Sequence, residues 1–524
     1  MNRILTIVFS LFLLSGVAFQ ARADHHQEGH PTTVHDSHAQ VASEERTNAP
    51  SLQATSDHHD EAHAEGHHAE TPMWLIIPFV GLLLMIATGP LFFEHFWHKN
   101  YPIVAFALAF FVAGYYSLIL GDGDSVVHAA AEYIQFIALL AGLFMASGGI
   151  LIKVDKEGTA MTNVTLLIIG AILANFIGTT GASMLLIRPF IRLNKDRIKP
   201  YHIIFFIFMV SNVGGSLTPV GDPPLFLGFL KGVPFIWTIS HNIVPWAFAT
   251  LCLAVVFFVF DNRNKSGDTT TVEYSGKTSI QGSKNFIWIA LVIGAVFIDP
   301  NKLDWVPSIE LVLHGQLTKI SYVREVIMLS VAALSYYFAD EEVLKGNEFE
   351  FEPIKEVAFI FIGIFFTMIP ALQIVAAFAV KNPDMISLNM LYWGTGALSG
   401  VLDNAPTYVN FLTAAVSSAG GSVADPAQVA NYANGTGIFA DTLGATESSS
   451  IVRLTAISVA SVFFGAMTYI GNAPNFMVKS IAEQVGVQMP AFFSYVLKFS
   501  IPILLPILFL VWLIFFKLEA ITMF

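Results

Sequence analysis

Cysteine is almost absent from this chain, charge is scarce, and polar stretches are rare beyond the N-terminal region. Cys252 is the single cysteine in 524 residues, so an intrachain disulfide is excluded. It sits in an apolar run, Thr250 to Phe260, where it reads as a small packing residue. Charged residues make up only 12% of the chain and hydrophobic ones 54%, and apolar runs near the length of a bilayer crossing, about 20 residues, recur along most of it. A soluble globular protein is excluded. The runs also lack the alternating apolar/polar pattern of strands, which leaves helices. No Ser/His/Asp or Cys/His arrangement and no Gly-Lys-[Ser/Thr] loop stands at usable spacing, so neither an enzyme nor an ATP-driven machine is expected. Any work across the membrane would draw on ion gradients.

What is present begins with an export signal. Arg3 precedes an apolar stretch from Ile4 to Phe19, and Ala21-Arg22-Ala23 supplies an A-x-A cleavage site, so residues 1–23 read as a signal peptide. An uncleaved first helix is the alternative. Residues 24–72 form a hydrophilic tail that holds ten of the 16 histidines and contributes −9 of the formal charge of −13. The acidity is therefore local and speaks against a nucleic-acid partner. Disorder is expected there. His25, His26, His58, His59, His67 and His68 are candidates for loose binding of zinc, nickel or copper, with a plain solvated periplasmic linker as the alternative.

Apolar segments fall at about 73–93, 101–120, 131–152, 160–187, 201–230, 235–260, 285–299, 322–339, 354–380, 387–416, 450–480 and 490–516. Segment 160–187 is interrupted by Gly178-Thr179-Thr180-Gly181-Ala182-Ser183. Lys153 and Lys156 precede it and Arg188, Arg192, Lys195, Arg197 and Lys199 follow, so the positive-inside rule puts both flanks in the cytoplasm and makes it a re-entrant hairpin. The second half follows the same order from the opposite face, with a hairpin at Asp403-Asn404-Ala405-Pro406-Thr407. The expected fold is an all-α polytopic membrane protein of two inverted repeats, 73–260 and 285–524, joined by a cytoplasmic linker, 261–284.

Each half also carries a helix breaker. Gly215-Ser216-Leu217-Thr218-Pro219-Val220-Gly221-Asp222-Pro223-Pro224 and Gly465-Ala466-Met467-Thr468-Tyr469-Ile470-Gly471-Asn472-Ala473-Pro474 share the pattern G-x-x-T-x-[VI]-G-[DN]-x-P. Backbone freed by glycine and proline survives at membrane depth only inside protein or beside a polar cavity, and paired broken helices point to a transporter's binding site. Asp222 and Asp403 are carboxylates far from any charged loop. Each costs roughly 2.5–3.5 kcal/mol at membrane depth and needs a proton, a partner or water; capping a helix end is the structural alternative. Thr179, Thr180, Ser183, Thr218, Asn404, Thr407, Thr468 and Asn472, with the carbonyls of Gly221 and Gly471, supply the oxygens that hard cations want. Backbone hydrogen bonding would also explain any one of them. Ser211 and Asn212 extend this polar lining or pack as small residues. Arg324-Glu325 reads as snorkelling side chains or a surface ion pair at a segment end, and His202 as an interfacial histidine, with pH sensing as the alternative.

On these residues the chain resembles the ion transporter superfamily, over about residues 73–516. Gly214-Gly215-Ser216-Leu217-Thr218-Pro219-Val220-Gly221-Asp222-Pro223-Pro224 is similar to the break of sodium/dicarboxylate symporters with an acid inserted. Asp403-Asn404-Ala405-Pro406-Thr407 resembles the D-N-x-P-T hairpin of NhaD-type sodium/proton antiporters and arsenite-efflux permeases. The resemblance implies cation ligands at Thr179, Thr180 and Ser183 in one hairpin and at Asp403, Asn404 and Thr407 in the other. Neither hairpin has the Ser-Asn-Thr triplet of the dicarboxylate carriers. A homodimer is implied by analogy alone.

The leading expectation is Na⁺/H⁺ antiport in a bacterial inner membrane, with Na⁺ as the transported or coupling ion and no cofactor. A proton on each acid would give way to the cation. Cation-coupled transport of citrate, another carboxylate or an arsenite-type oxyanion is the alternative. A metal-binding receptor or tether acting through the histidine tail is a third.

Overall fold

The computed structural model describes residues 71–154, 156, 158–195, 197–264, 278–313, 316–440 and 449–518. The signal segment and all six tail histidines named above lie outside the described residues. Among the described residues, nine helices are long and apolar enough to cross a membrane. The chain is a multi-pass, mostly helical membrane protein, with two small two-stranded sheets among the described residues as accessories.

The first half opens with α1 (Ile76–Phe92), α2 (Glu94–Tyr115) and α3 (Gly123–Gly148). Asp122 starts α3 by accepting from Ser125 N at 3.0 Å, which satisfies one of the free amides of the first turn. After β1 (Leu151–Val154) comes α4 (Ala160–Leu193), whose backbone leaves helical geometry at Gly178 (φ 76, ψ 154). That positive φ suits glycine. A straight helix would separate Asn163 from Asn194 by about 46 Å, yet their side chains exchange two hydrogen bonds of 2.7 Å. α4 therefore doubles back on itself, with its turn at Gly178.

α5 (Pro200–Met209) and α6 (Pro223–Leu230) are the two pieces of the first broken run, separated by a 3₁₀ turn at Val213–Leu217 and an extended stretch. Pro223 ends the break because proline at the first helical position has no amide to leave unpaired. α7 (Phe235–Asn262) follows, and then β2 (Thr278–Gln281), antiparallel to β1 with Leu151 opposite Gln281.

In the second half α8 (Asn285–Val296) and α9 (Val323–Tyr337) hold only 12 and 15 residues, short of the roughly 20 that a crossing needs. The expected crossings at 285–299 and 322–339 are thus shorter than the sequence suggests. An antiparallel hairpin of β3 (Ser308–Leu313) and β4 (Gln316–Ser321), not among the expected elements, lies between them. Next come α10 (Glu341–Gly346), α11 (Glu352–Lys381), α12 (Thr395–Ser399) and α13 (Asn404–Ser418). A Cβ on Gly394 would lie 3.0 Å from the Phe411 ring, so the chain doubles back here too, around 400–403. α14 (Pro426–Asn434), α15 (Ser450–Phe464) and α16 (Ala473–Gln484) precede a last span, Phe492–Lys517.

Among the described residues, three buried contacts of charged side chains tie this apolar bundle together. Arg324 and Glu325 are each 4% exposed, so they are not a surface pair; Arg324 also donates to Gln135 at 2.9 Å, tying α9 to α3. His202 is fully buried, with Nε2 2.9 Å from Asp261, and does not sit at an interface. Asp261 also takes Arg197, Tyr201 and Asn163, so it clamps both feet of α4 to α5 and α7. The third, Lys231 on Glu132 at 2.7 Å, joins the end of α6 to α3. Removing one partner of such a pair costs about 3–5 kcal/mol. Lys231→Met should lower the unfolding temperature in detergent, and adding Glu132→Gln should recover part of the loss.

Candidate functional site

The two breaks have the same backbone shape. Thr218 (φ −130, ψ 154) matches Thr468 (φ −140, ψ 171), and Asp222 (φ −144, ψ 143) matches Asn472 (φ −154, ψ 141). Each closes on a glycine: a Cβ on Gly221 would lie 2.2 Å from Gly215 O, and one on Gly471 would lie 2.6 Å from Gly465 O. No other residue type fits that approach.

Asp222, 1% exposed, is where four separate elements meet. It stands at the start of α6. Thr179, just past the turn of α4, donates to its Oδ1 at 2.6 Å. Asn472, at the start of α16, donates to the same oxygen at 3.0 Å. Asn404, at the start of α13, donates to Oδ2 at 2.7 Å. All three donors are neutral, and among the described residues Asp222 has no Lys, Arg or His in an ion pair. Asn404 Oδ1 is itself buried without a hydrogen-bond partner. An orphaned buried acceptor calls for an explanation, and an ion is one.

A small cavity of about 30 Å³ lies beside this carboxylate, lined by Leu139, Leu143, Gly178, Thr180, Pro219 and Asp222 among others. Thr180 reaches the site only as part of this wall. Ser183 is one shell further out, its hydroxyl 2.7 Å from that of Ser211. Thr218 braces the break by donating to Asn175 O at 2.6 Å, and Gly221 O accepts from Thr179 N at 2.8 Å. Thr468 Oγ1 accepts from Ile470 N at 3.2 Å.

Asp403 differs from Asp222. Half-buried, it accepts from Ala405 N at 3.0 Å and so caps α13, while Thr407 donates to its backbone carbonyl at 2.9 Å. Both serve their own helix start. Asn212 and Asn475, by contrast, belong to the assembly: Asn472 reaches Asn212 Oδ1 at 3.3 Å, and Asn212 donates to Asn475 Oδ1 at 2.7 Å. Asn175 and Asn475 were not among the expected residues. The available signal was an asparagine inside an otherwise apolar run. Among the described residues no group of three or more His, Cys, Asp and Glu could hold a metal ion.

The arrangement is thus an acid held by neutral donors at the meeting point of two breaks and two doubled-back elements. The family described as "putative citrate transport" (CitMHS_2) matches residues 68–516. The chain belongs to that family. Together the family and the spanning helices make it a multi-pass membrane transporter. Among curated proteins no match is found.

Proposed function

We propose that the protein is a secondary active transporter that exchanges Na⁺ for protons at Asp222. The observation that carries this reading is a wholly buried carboxylate held by three neutral side chains from three elements, with no cationic partner among the described residues. Every one of those donors also carries an oxygen. Thr179 can turn its hydroxyl, and Asn404 and Asn472 can present Oδ1, so donors to a carboxylate become ligands to a cation placed against it. A proton and a cation compete for one charge, and the apolar surroundings disfavour an acid left with neither.

In this reading the doubled-back elements are re-entrant hairpins, and the two halves are inverted repeats whose hairpins and breaks move against α1, α2, α3 and α11. The protein would sit in a bacterial inner membrane, alone or as a homodimer, with its histidine tail in the periplasm. Na⁺ is its passenger, and it needs no cofactor.

The family's description favours a second reading, citrate carried with a cation. Citrate is a multiply charged anion, whereas the site presents an acid and no Lys or Arg among the described contacts. A cavity of about 30 Å³ holds a water or a bare cation. Everted membrane vesicles decide between the two. Added Na⁺ should move protons and added citrate should not; Na⁺-dependent uptake of labelled citrate without proton exchange would transfer the assignment to the second reading.

A further inference from the structure

The two breaks share a shape but are filled differently. Three residues after Asp222 stands Leu225, buried and without a polar group; three residues after Asn472 stands Asn475, wholly buried. In the first break Thr218 O is met by backbone, accepting from Gly221 N at 2.9 Å. In the second the Asn475 side chain does this work: Nδ2 donates to Gly465 O at 2.8 Å and to Thr468 O at 2.9 Å. One carboxamide thus places both its hydrogens on two of the carbonyl oxygens of the unwound backbone. Unwound carbonyls are what a bound cation would gather.

The orientation of that carboxamide is fixed by its neighbour. Asn212 Nδ2 donates to Ile207 O at 2.8 Å, which identifies it as the nitrogen. It also donates to Asn475 Oδ1 at 2.7 Å, so the oxygen of Asn475 faces Asn212 and its NH₂ faces the carbonyls. Turning the group over would set oxygen against oxygen at one end and nitrogen against nitrogen at the other. The charge is missing as well, because Asn472 occupies the place of Asp222 and donates to that acid. The first break, in contrast, has the acid and, on Asn404, an acceptor still unpartnered.

We propose that Asn475 plugs the second break, so that the duplicated fold keeps a single cation site, at Asp222, and takes one cation per cycle. This rests on the cation reading of Asp222 given above. The amide hydrogens stand in for the ion, and a cation entering there would leave two buried N–H groups unpaired. The second break becomes a strut that holds Asn212 and Asn472 in position around the first.

Equilibrium binding of radioactive Na⁺ to the purified full-length protein tests the proposal. The wild type should bind one Na⁺ per chain along a non-cooperative isotherm, and Asp222→Asn should bind none. Asn475→Asp conserves volume but turns the NH₂ that faces Gly465 O and Thr468 O into an oxygen. At alkaline pH it should gain a second Na⁺. Two ions bound by the wild type, or only one bound by a monodisperse Asn475→Asp protein with its helical circular dichroism retained, would overturn the plug. A wild type that binds no Na⁺ removes the cation reading and this inference together, whereas two bound ions leave that reading intact.

Discussion

Asp222→Asn is expected to abolish exchange, whereas Asp403→Asn keeps most of it. In the first variant the carboxylate that gathers Thr179, Asn404 and Asn472 becomes a carboxamide, which neither takes up a proton in this pH range nor offers a cation a negative charge. Losing one partner of a buried charged contact costs about 2–5 kcal/mol, so exchange should fall at least about 30-fold, since each 1.4 kcal/mol is a factor of ten. Asp403 has the smaller task of capping α13. Asparagine caps nearly as well as aspartate, so this variant should stay within about threefold of wild type. Proton movement in everted vesicles, normalised to the protein content of the membrane, measures both. Equal losses in the two variants would return Asp403 to the exchange site, and unimpaired exchange in Asp222→Asn would remove the carboxylate mechanism.

Gly221→Ala should be nearly as damaging, for a steric reason. The added methyl would lie 2.2 Å from Gly215 O and 3.1 Å from Thr218 O, both main-chain atoms of the same break, so no flexible side chain can yield. Overpacking costs about 1–3 kcal/mol in general and more where backbone must shift. The shift would also move Gly221 O, which holds Thr179 in place through Thr179 N. The expected result is loss of exchange with a lower yield of monodisperse protein on size-exclusion chromatography. Gly294→Ala, where the new Cβ meets nothing within 4 Å, is the matched control and should behave as wild type. Wild-type exchange by Gly221→Ala would show that the closeness of the two glycines is dispensable.

Much of this site was legible in the sequence, because its signals are local. A glycine that must take a positive φ, a proline that opens a helix and an acid amid apolar residues each announce themselves within a few positions. Gly178, Pro223 and Asp222 did so. The duplication could be read because Gly215 to Gly221 and Gly465 to Gly471 keep the same spacing. The unread parts depend on partners far apart in the chain. Asn475 gains its meaning from Asn212, 263 positions away, and Lys231 resembles any lysine at a segment end until α3 brings Glu132 to it. Asp403 and Asp222 look equivalent along the chain, and only their hydrogen-bond partners separate a helix cap from a junction of four elements. The short α8 and α9 and the strands between them were hidden by a composition that suits a hydrophobic helix and a half-exposed strand equally well.

The eight-residue α6 carries a negative group at its first end, Asp222, and a positive one at its last, Lys231. That order matches the polarity of the peptide dipoles, which leave a helix electropositive where it begins and electronegative where it finishes. Discharging Asp222 therefore does more than empty a binding group: it uncovers the positive pole of α6 beside the cavity while the opposite pole stays neutralised. The short rod is thus electrically balanced only while Asp222 stands charged between passengers, since a proton and a Na⁺ each cancel the charge that complements its first turn.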